Sequence, residues 1–135
     1  MKRQALVFPN IEELSRFAAE KFIEIGNQAI EKRGQFTIAL AGGTTPKSLY
    51  RLLTTENFKS QIDWKSVFFF FGDERNASPD AEESNFRMAN ENLLKPLKID
   101  FDKIYRWEIG LEIPEEIADD YSSSIEFFFR GLQHL

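Results

Sequence analysis

Phe36-Thr37-Ile38-Ala39-Leu40-Ala41-Gly42-Gly43-Thr44-Thr45-Pro46-Lys47-Ser48-Leu49-Tyr50 runs from an almost unbroken apolar stretch, through a glycine pair, into a helix-forming segment. A short run of this kind suits a strand buried on both faces of a sheet flanked by helices. Gly42-Gly43 break the strand sharply, and Pro46 belongs in the first turn of the helix that follows. The unit therefore reads strand, glycine loop, helix.

Upstream, Gln4 to Phe8 reads as a short strand, and Asn10 followed by Glu13 has the spacing of a helix-start capping box. Ile11, Leu14, Ala18, Phe22, Ile25 and Ala29 recur every three or four residues, which predicts an apolar stripe on a helix ending near Arg33, with Gly34 as its stop. Downstream the pattern repeats. Val67-Phe68-Phe69-Phe70-Phe71-Gly72 is a second buried run that stops at Asp73-Glu74-Arg75, and Ser84 is positioned to cap a helix burying Phe86, Ala89, Leu93 and Leu97. Ile104 to Ile109 alternates as an edge strand would, and Pro114 opens a last helix with Ile117, Tyr121, Ile125 and Phe128 on one face. Alternating strands and helices predict an α/β fold with a mainly parallel sheet.

The 135 residues fit one domain, and 42% apolar content is enough for one core. The formal charge of -5 comes from interspersed signs, which disfavours a nucleic-acid partner. Cysteine is absent, excluding disulfides and thiol catalysis. The N-terminal apolar patch is too short for a secretory signal or a membrane span, so the expected location is cytoplasmic, and Asn76-Ala77-Ser78 is read as a chance glycosylation triplet. Neither His-rich spacing nor an acidic calcium loop supports a metal.

Parallel strands joined by crossover helices send their following loops to the same carboxyl edge, so the glycine loop and Asp73-Glu74-Arg75 should meet there. Gly42, Gly43, Thr44 and Thr45 offer unobstructed N–H groups, hydroxyls and a helix start, and Lys47 adds charge: together a receptor for a phosphate. On spacing alone the loop reads equally as a tight turn. It has neither the nucleotide P-loop nor the dinucleotide glycine spacing. Asp-Glu-Arg after a strand reads more readily as a solvated turn, and Ser84 as a cap, than as catalytic groups. His134, next to the chain end, carries no catalytic assignment.

The ordered combination Gly42-Gly43-Thr44-Thr45-Pro46-Lys47-Ser48-Leu49-Tyr50-Arg51-Leu52-Leu53, Phe71-Gly72-Asp73-Glu74-Arg75 and Ser84-Asn85-Phe86-Arg87-Met88-Ala89 resembles the 6-phosphogluconolactonases, from near the N-terminus to about Phe129. The glycine loop is shared with glucosamine-6-phosphate deaminases, whose chains typically carry an aromatic residue where Arg75 stands. The resemblance implies the Rossmann-like three-layer fold of that superfamily. It also implies hydrolysis of 6-phosphoglucono-δ-lactone in the oxidative pentose phosphate pathway, without metal or organic cofactor. By the same resemblance Gly42, Gly43, Thr44 and Thr45 surround the substrate phosphate, Arg75 approaches the sugar acid, and Asp73, Ser84, Asn85 and Arg87 complete or brace the pocket.

The family's catalytic base resembles a histidine in a later Asp-Gly-His segment, which residues 1–135 do not contain; the tail Arg130-Gly131-Leu132-Gln133-His134-Leu135 does not match it. The catalytic residue is therefore unassigned. The chain reads as a single domain cut short at its C-terminus, in need of a missing half or a partner chain. Exposed apolar surface is expected around Phe69, Phe71 and Phe128. Two alternatives accompany the lactonase reading: a catalytically inactive sugar-phosphate-binding fragment and a glucosamine-6-phosphate deaminase-like isomerase.

Overall fold

The computed structural model describes residues 2–109 and 113–132, the last of these by its backbone. Helix α1 spans Ile11–Arg33, strand β1 Phe36–Leu40, helix α2 Thr44–Leu53, the short helix α3 Glu56–Lys59, strand β2 Val67–Phe71, helix α4 Asn85–Ala89 and helix α5 Pro114–Leu132. A widened turn at Asn90–Leu94 prolongs α4. The ends of α1 lie where local chemistry puts them: Asn10 Oδ1 accepts from the Glu13 N–H at 2.9 Å, and Gly34 closes the helix in the left-handed conformation, φ 77°.

β1 and β2 pair in parallel, Phe36 opposite Val67 through Leu40 opposite Phe71. Residues opposite each other share a face. Phe36, Ile38, Leu40, Val67, Phe69 and Phe71 form the main core with α1, α2 and α4, where Phe22 meets Phe36 edge-on at 5.3 Å and Phe86 meets Phe71 at 5.9 Å. Phe68 and Phe70 turn to the other face, against Phe128 of α5 at 5.1 and 5.2 Å. Helix, sheet and helix make three layers. Each phenylalanine fully withdrawn from water stabilises this arrangement by about 1.5–3 kcal/mol.

Several sequence expectations are corrected. Phe69 and Phe71 are almost completely buried, and apolar exposure falls instead on Phe127 (83% exposed), Phe129 and Phe101. The buried face of α1 is Ser15, Ala19, Phe22, Ile23, Gly26 and Ala29, so Ile11 and Ile25 point outward. The small residues explain the rotation: a Cβ at Gly26 would stand 2.9 Å from Phe36, so only this face lets the helix come close to the sheet. Gln4 to Phe8 forms no strand, having no ladder partner; Phe8 merely packs on Phe17.

The segment from Ile104 makes one parallel bridge to Phe69, with the Tyr105 N–H donating to the Phe69 carbonyl at 2.8 Å. The ladder goes no further because side chains take the next backbone groups. The Phe71 N–H donates to the Tyr121 hydroxyl at 2.7 Å, and the Phe71 carbonyl accepts from Tyr121 and from Trp107 Nε1.

β1 was expected to be buried on both faces and is not, for Ala39 is exposed. α5 lies over β2, leaving a hollow of about 480 Å³ between Thr37, Ala39, Phe71, Tyr121 and Phe129. A second hollow of about 300 Å³ lies between β1, α1 and α2. Because the Gly72 N–H donates to the Leu40 carbonyl, the alternate residues Thr37 and Ala39 direct their backbone groups away from β2. Among the described residues no strand pairs with that edge.

Candidate functional site

The parallel register brings both strand exits to one edge, and the 3.1 Å bond from the Gly72 N–H to the Leu40 carbonyl fixes them side by side. Each exit is held by a tyrosine. The Tyr50 hydroxyl, from α2, accepts from the Ala41 N–H at 2.9 Å and donates to the Ala41 carbonyl at 2.8 Å. Tyr121, from α5, holds Phe71 in the same manner. Burial raises the pKa of both phenols above the ordinary value of 10.0, the backbone bonds offsetting part of the rise.

Beyond β1 the chain turns through Gly43, whose φ of 103° is a conformation that glycine adopts at no steric cost, and α2 begins at Thr44. No side chain caps this helix. Pro46 has no N–H, and the Lys47 N–H reaches the Gly43 carbonyl at 3.3 Å, so the amides of Thr44 and Thr45 lie at a helix start without intrahelical acceptors. Such a start carries the positive end of the helix dipole and suits an anion. The side chains of Thr44 and Thr45 are exposed and Lys47 is half-buried.

The loop after β2 is built around Asn85, which is only 6% exposed. Its Nδ2 donates to the Asp73 carboxylate at 3.2 Å and to the Asp73 carbonyl at 3.3 Å. Its carboxamide also lies against Gly42: a Cβ on residue 42 would stand 2.5 Å from the Asn85 carboxamide carbon, an overlap. Glycine at 42 is thus a requirement of close approach rather than of backbone conformation, since residue 42 has no positive φ. Ser84 Oγ caps α4 by accepting from the Arg87 N–H at 3.2 Å.

Gly42 and Asp73 therefore both meet Asn85, with the start of α2 adjoining and Ser84 at the foot of Asn85. Arg75 follows Asp73 on the exposed side and forms no ion pair among the described residues. Arg87 is engaged elsewhere: its Nε donates to Glu91 at 3.0 Å and its Nη1 to the Asp80 carbonyl at 2.9 Å, tying the 75–84 loop to α4. The Glu91 hydrogen bond and charge raise the Arg87 pKa above its ordinary value.

Glu74, absent from the sequence-based set of site residues, accepts from the backbone N–H of Arg75 and Asn85, each at 2.7 Å, of Phe86 at 2.9 Å, and from the Ser84 hydroxyl at 3.3 Å. No local spacing announces contacts ten to twelve residues away. His134 lies outside the described residues. Among the described residues no group of three or more His, Asp or Glu side chains is placed to hold a metal ion, and no helix is long and apolar enough to cross a membrane.

Comparison with known proteins agrees with this geometry. A family model described as glucosamine-6-phosphate isomerases/6-phosphogluconolactonase matches residues 9–134. The 6-phosphogluconolactonase of Treponema pallidum is 34% identical over 117 residues, covering 87% of this chain and 48% of that protein. The 6-phosphogluconolactonase of a Nostoc species is 32% identical over 131 residues, covering 97% and 53%. The solved 6-phosphogluconolactonase from Trypanosoma cruzi superimposes with a TM-score of 0.82 at 33% identity, over 94% of this chain and 51% of that one. The chain spans about half the length of these relatives. A parallel pair of strands, the glycine loop at their common edge and the family match over nearly every residue lead to one conclusion: the chain belongs to the glucosamine-6-phosphate isomerase/6-phosphogluconolactonase family.

Proposed function

We propose that this chain supplies the phosphate-holding and sugar-facing part of a 6-phosphogluconolactonase site, acting on 6-phosphoglucono-δ-lactone in the cytoplasm together with the half of the fold that it does not span. The observation that carries this reading is the juxtaposition of an uncapped helix start at Gly43–Thr45 with the Asp73–Asn85 pair, on the loop that also carries Arg75. In this reading the substrate phosphate takes the free amides and hydroxyls of Thr44 and Thr45 beside Gly42 and Gly43, with Lys47 adding charge. Arg75 meets the lactone carbonyl oxygen as negative charge develops there. Asp73 is held by Asn85 at the ring, and Ser84 and Arg87 brace the loop that carries them.

The reaction adds water to the ring carbonyl carbon, breaks the ring C–O bond and protonates the released oxygen, giving 6-phosphogluconate. Phosphate binding away from the carbonyl orients the ring, so remote binding energy serves the reacting centre. No group of this chain is assigned as the base. Support for the reading comes from the lactonases among the relatives and from Arg75 after Asp73-Glu74.

The test is lactone hydrolysis measured against the spontaneous rate, with Arg75→Ala alongside and 6-phosphogluconate binding followed by calorimetry. Turnover lowered by Arg75→Ala supports the reading. Binding without turnover favours the inactive sugar-phosphate module. A folded chain that neither binds nor hydrolyses refutes both.

A further inference from the structure

We infer that Glu74 is a positioning residue that sets the geometry of Gly42, Asp73, Arg75 and Asn85, an inference that rests on the sugar-phosphate reading only for its effect on ligand. Its two carboxylate oxygens accept four hydrogen bonds: Oε1 from the N–H groups of Arg75 and Asn85, Oε2 from the Phe86 N–H and the Ser84 hydroxyl. A carboxylate so occupied has little acceptor capacity left for a substrate or a proton, which separates it from a general base. Its work is mechanical. The bonds cross from the loop after β2 to the first turn of α4 and seat Asn85, whose carboxamide then presses on Gly42 and holds Asp73.

The same bonds divide the labour between the two helix starts at this edge. With Glu74 on the amides of Asn85 and Phe86, and Ser84 on that of Arg87, the first turn of α4 is satisfied internally. The start of α2 has no side-chain cap. Removing the Glu74 charge therefore disturbs the sugar-facing side of the site first and reaches the phosphate-facing side only through the contact of Asn85 with Gly42.

The experiment compares the wild-type chain with Glu74→Gln and with Glu83→Gln, which removes a nearby exposed charge that makes none of these bonds. Nitrogen-15 NMR and calorimetry with 6-phosphogluconate and with inorganic phosphate are the readouts, and amide protection at Phe71 reports folding. A glutamine side chain places an NH₂ where one pair of donors needs an acceptor. Glu74→Gln is expected to move the amide resonances of Arg75, Asn85 and Phe86 and, through Asn85, that of Gly42. It is also expected to weaken 6-phosphogluconate binding about tenfold, the scale at which displaced supporting hydrogen bonds act, and to weaken phosphate binding less. Glu83→Gln should reproduce none of this. An unmoved Gly42 resonance, or equal weakening of both ligands with lost protection at Phe71, overturns the inference. If the wild type binds neither ligand, the functional reading fails, and the Gly42 resonance alone decides whether Glu74 positions the cluster.

Discussion

Replacing Gly42 by alanine tests the contact that joins the two halves of the candidate site. The added methyl would overlap the Asn85 carboxamide, with the carboxamide carbon 2.5 Å away and the nitrogen 3.0 Å away. An exposed side-chain tip would swing aside at little cost. Asn85 is buried and tied to Asp73 by bonds of 3.2 and 3.3 Å, so moving it gives up those bonds and crowds its neighbours. Overpacking costs about 1–3 kcal/mol, and disturbing a hydrogen bond to a charged group adds about 1–2 kcal/mol, giving roughly 2–5 kcal/mol in all. No backbone term enters, because Gly42 lacks a positive φ.

Urea unfolding followed by tryptophan fluorescence reads this directly. With a slope of about 2 kcal/mol per molar, the midpoint should fall by about 1–2.5 M. The decisive comparison is the same substitution in an Asn85→Ala background, where the obstructing carboxamide is gone. There Gly42→Ala should cost less than about 1 kcal/mol, giving a coupling of about 1–4 kcal/mol between the two positions. An equal cost in both backgrounds would show that the Asn85 carboxamide is not the obstacle, the penalty then lying in the backbone or in the unfolded chain.

Lys98 is the one described non-glycine residue with positive φ, 55°, at the end of the helical stretch where the Ile99 N–H reaches back to the Leu94 carbonyl. Lys98→Gly should raise stability by about 0.5–1 kcal/mol, visible as a higher thermal midpoint; no gain would mean the left-handed strain is already relieved. The two tyrosine clamps predict alkaline sensitivity. Because folded-state pKa values lie above 10.0, their stabilisation is complete below pH 10 and is lost as pH rises through the folded values. Urea midpoints of wild type should therefore decline above that pH, whereas Tyr50→Phe/Tyr121→Phe, less stable at neutral pH, should decline less. Parallel slopes would remove the clamps as the cause.

Much of this molecule could be read locally. Asn10 and Gly34 mark the ends of α1, Ser84 caps α4, and the glycine pair separates β1 from α2, because caps and breakers act over three or four residues. The common edge followed from parallel strands, which are a property of topology. What escaped depends on partners distant in sequence. Gln4 to Phe8 has strand composition but no ladder to join, and Ile104 starts a pairing that Tyr121 and Trp107 finish with side chains. The face of α1 was displaced because periodicity counts apolar residues, while packing selected the small Ser15, Ala19 and Gly26 for close approach. Glu74 stood inside the recognised motif yet showed its role only once α4 had folded back onto it.

The open side of β1 makes the lifetime of the native chain a question of concentration as well as of free energy. Phe36–Leu40 contains no charge, proline or lysine to discourage another strand, and the amides and carbonyls of Thr37 and Ala39 face outward. Edges without such protection template pairing with further chains. Unimolecular unfolding removes a fixed fraction of molecules per unit time, whereas edge pairing between two chains grows with the square of their concentration. For a solution of this chain dilution thus acts on a loss channel that added thermal stability leaves open, and a covering strand would close it.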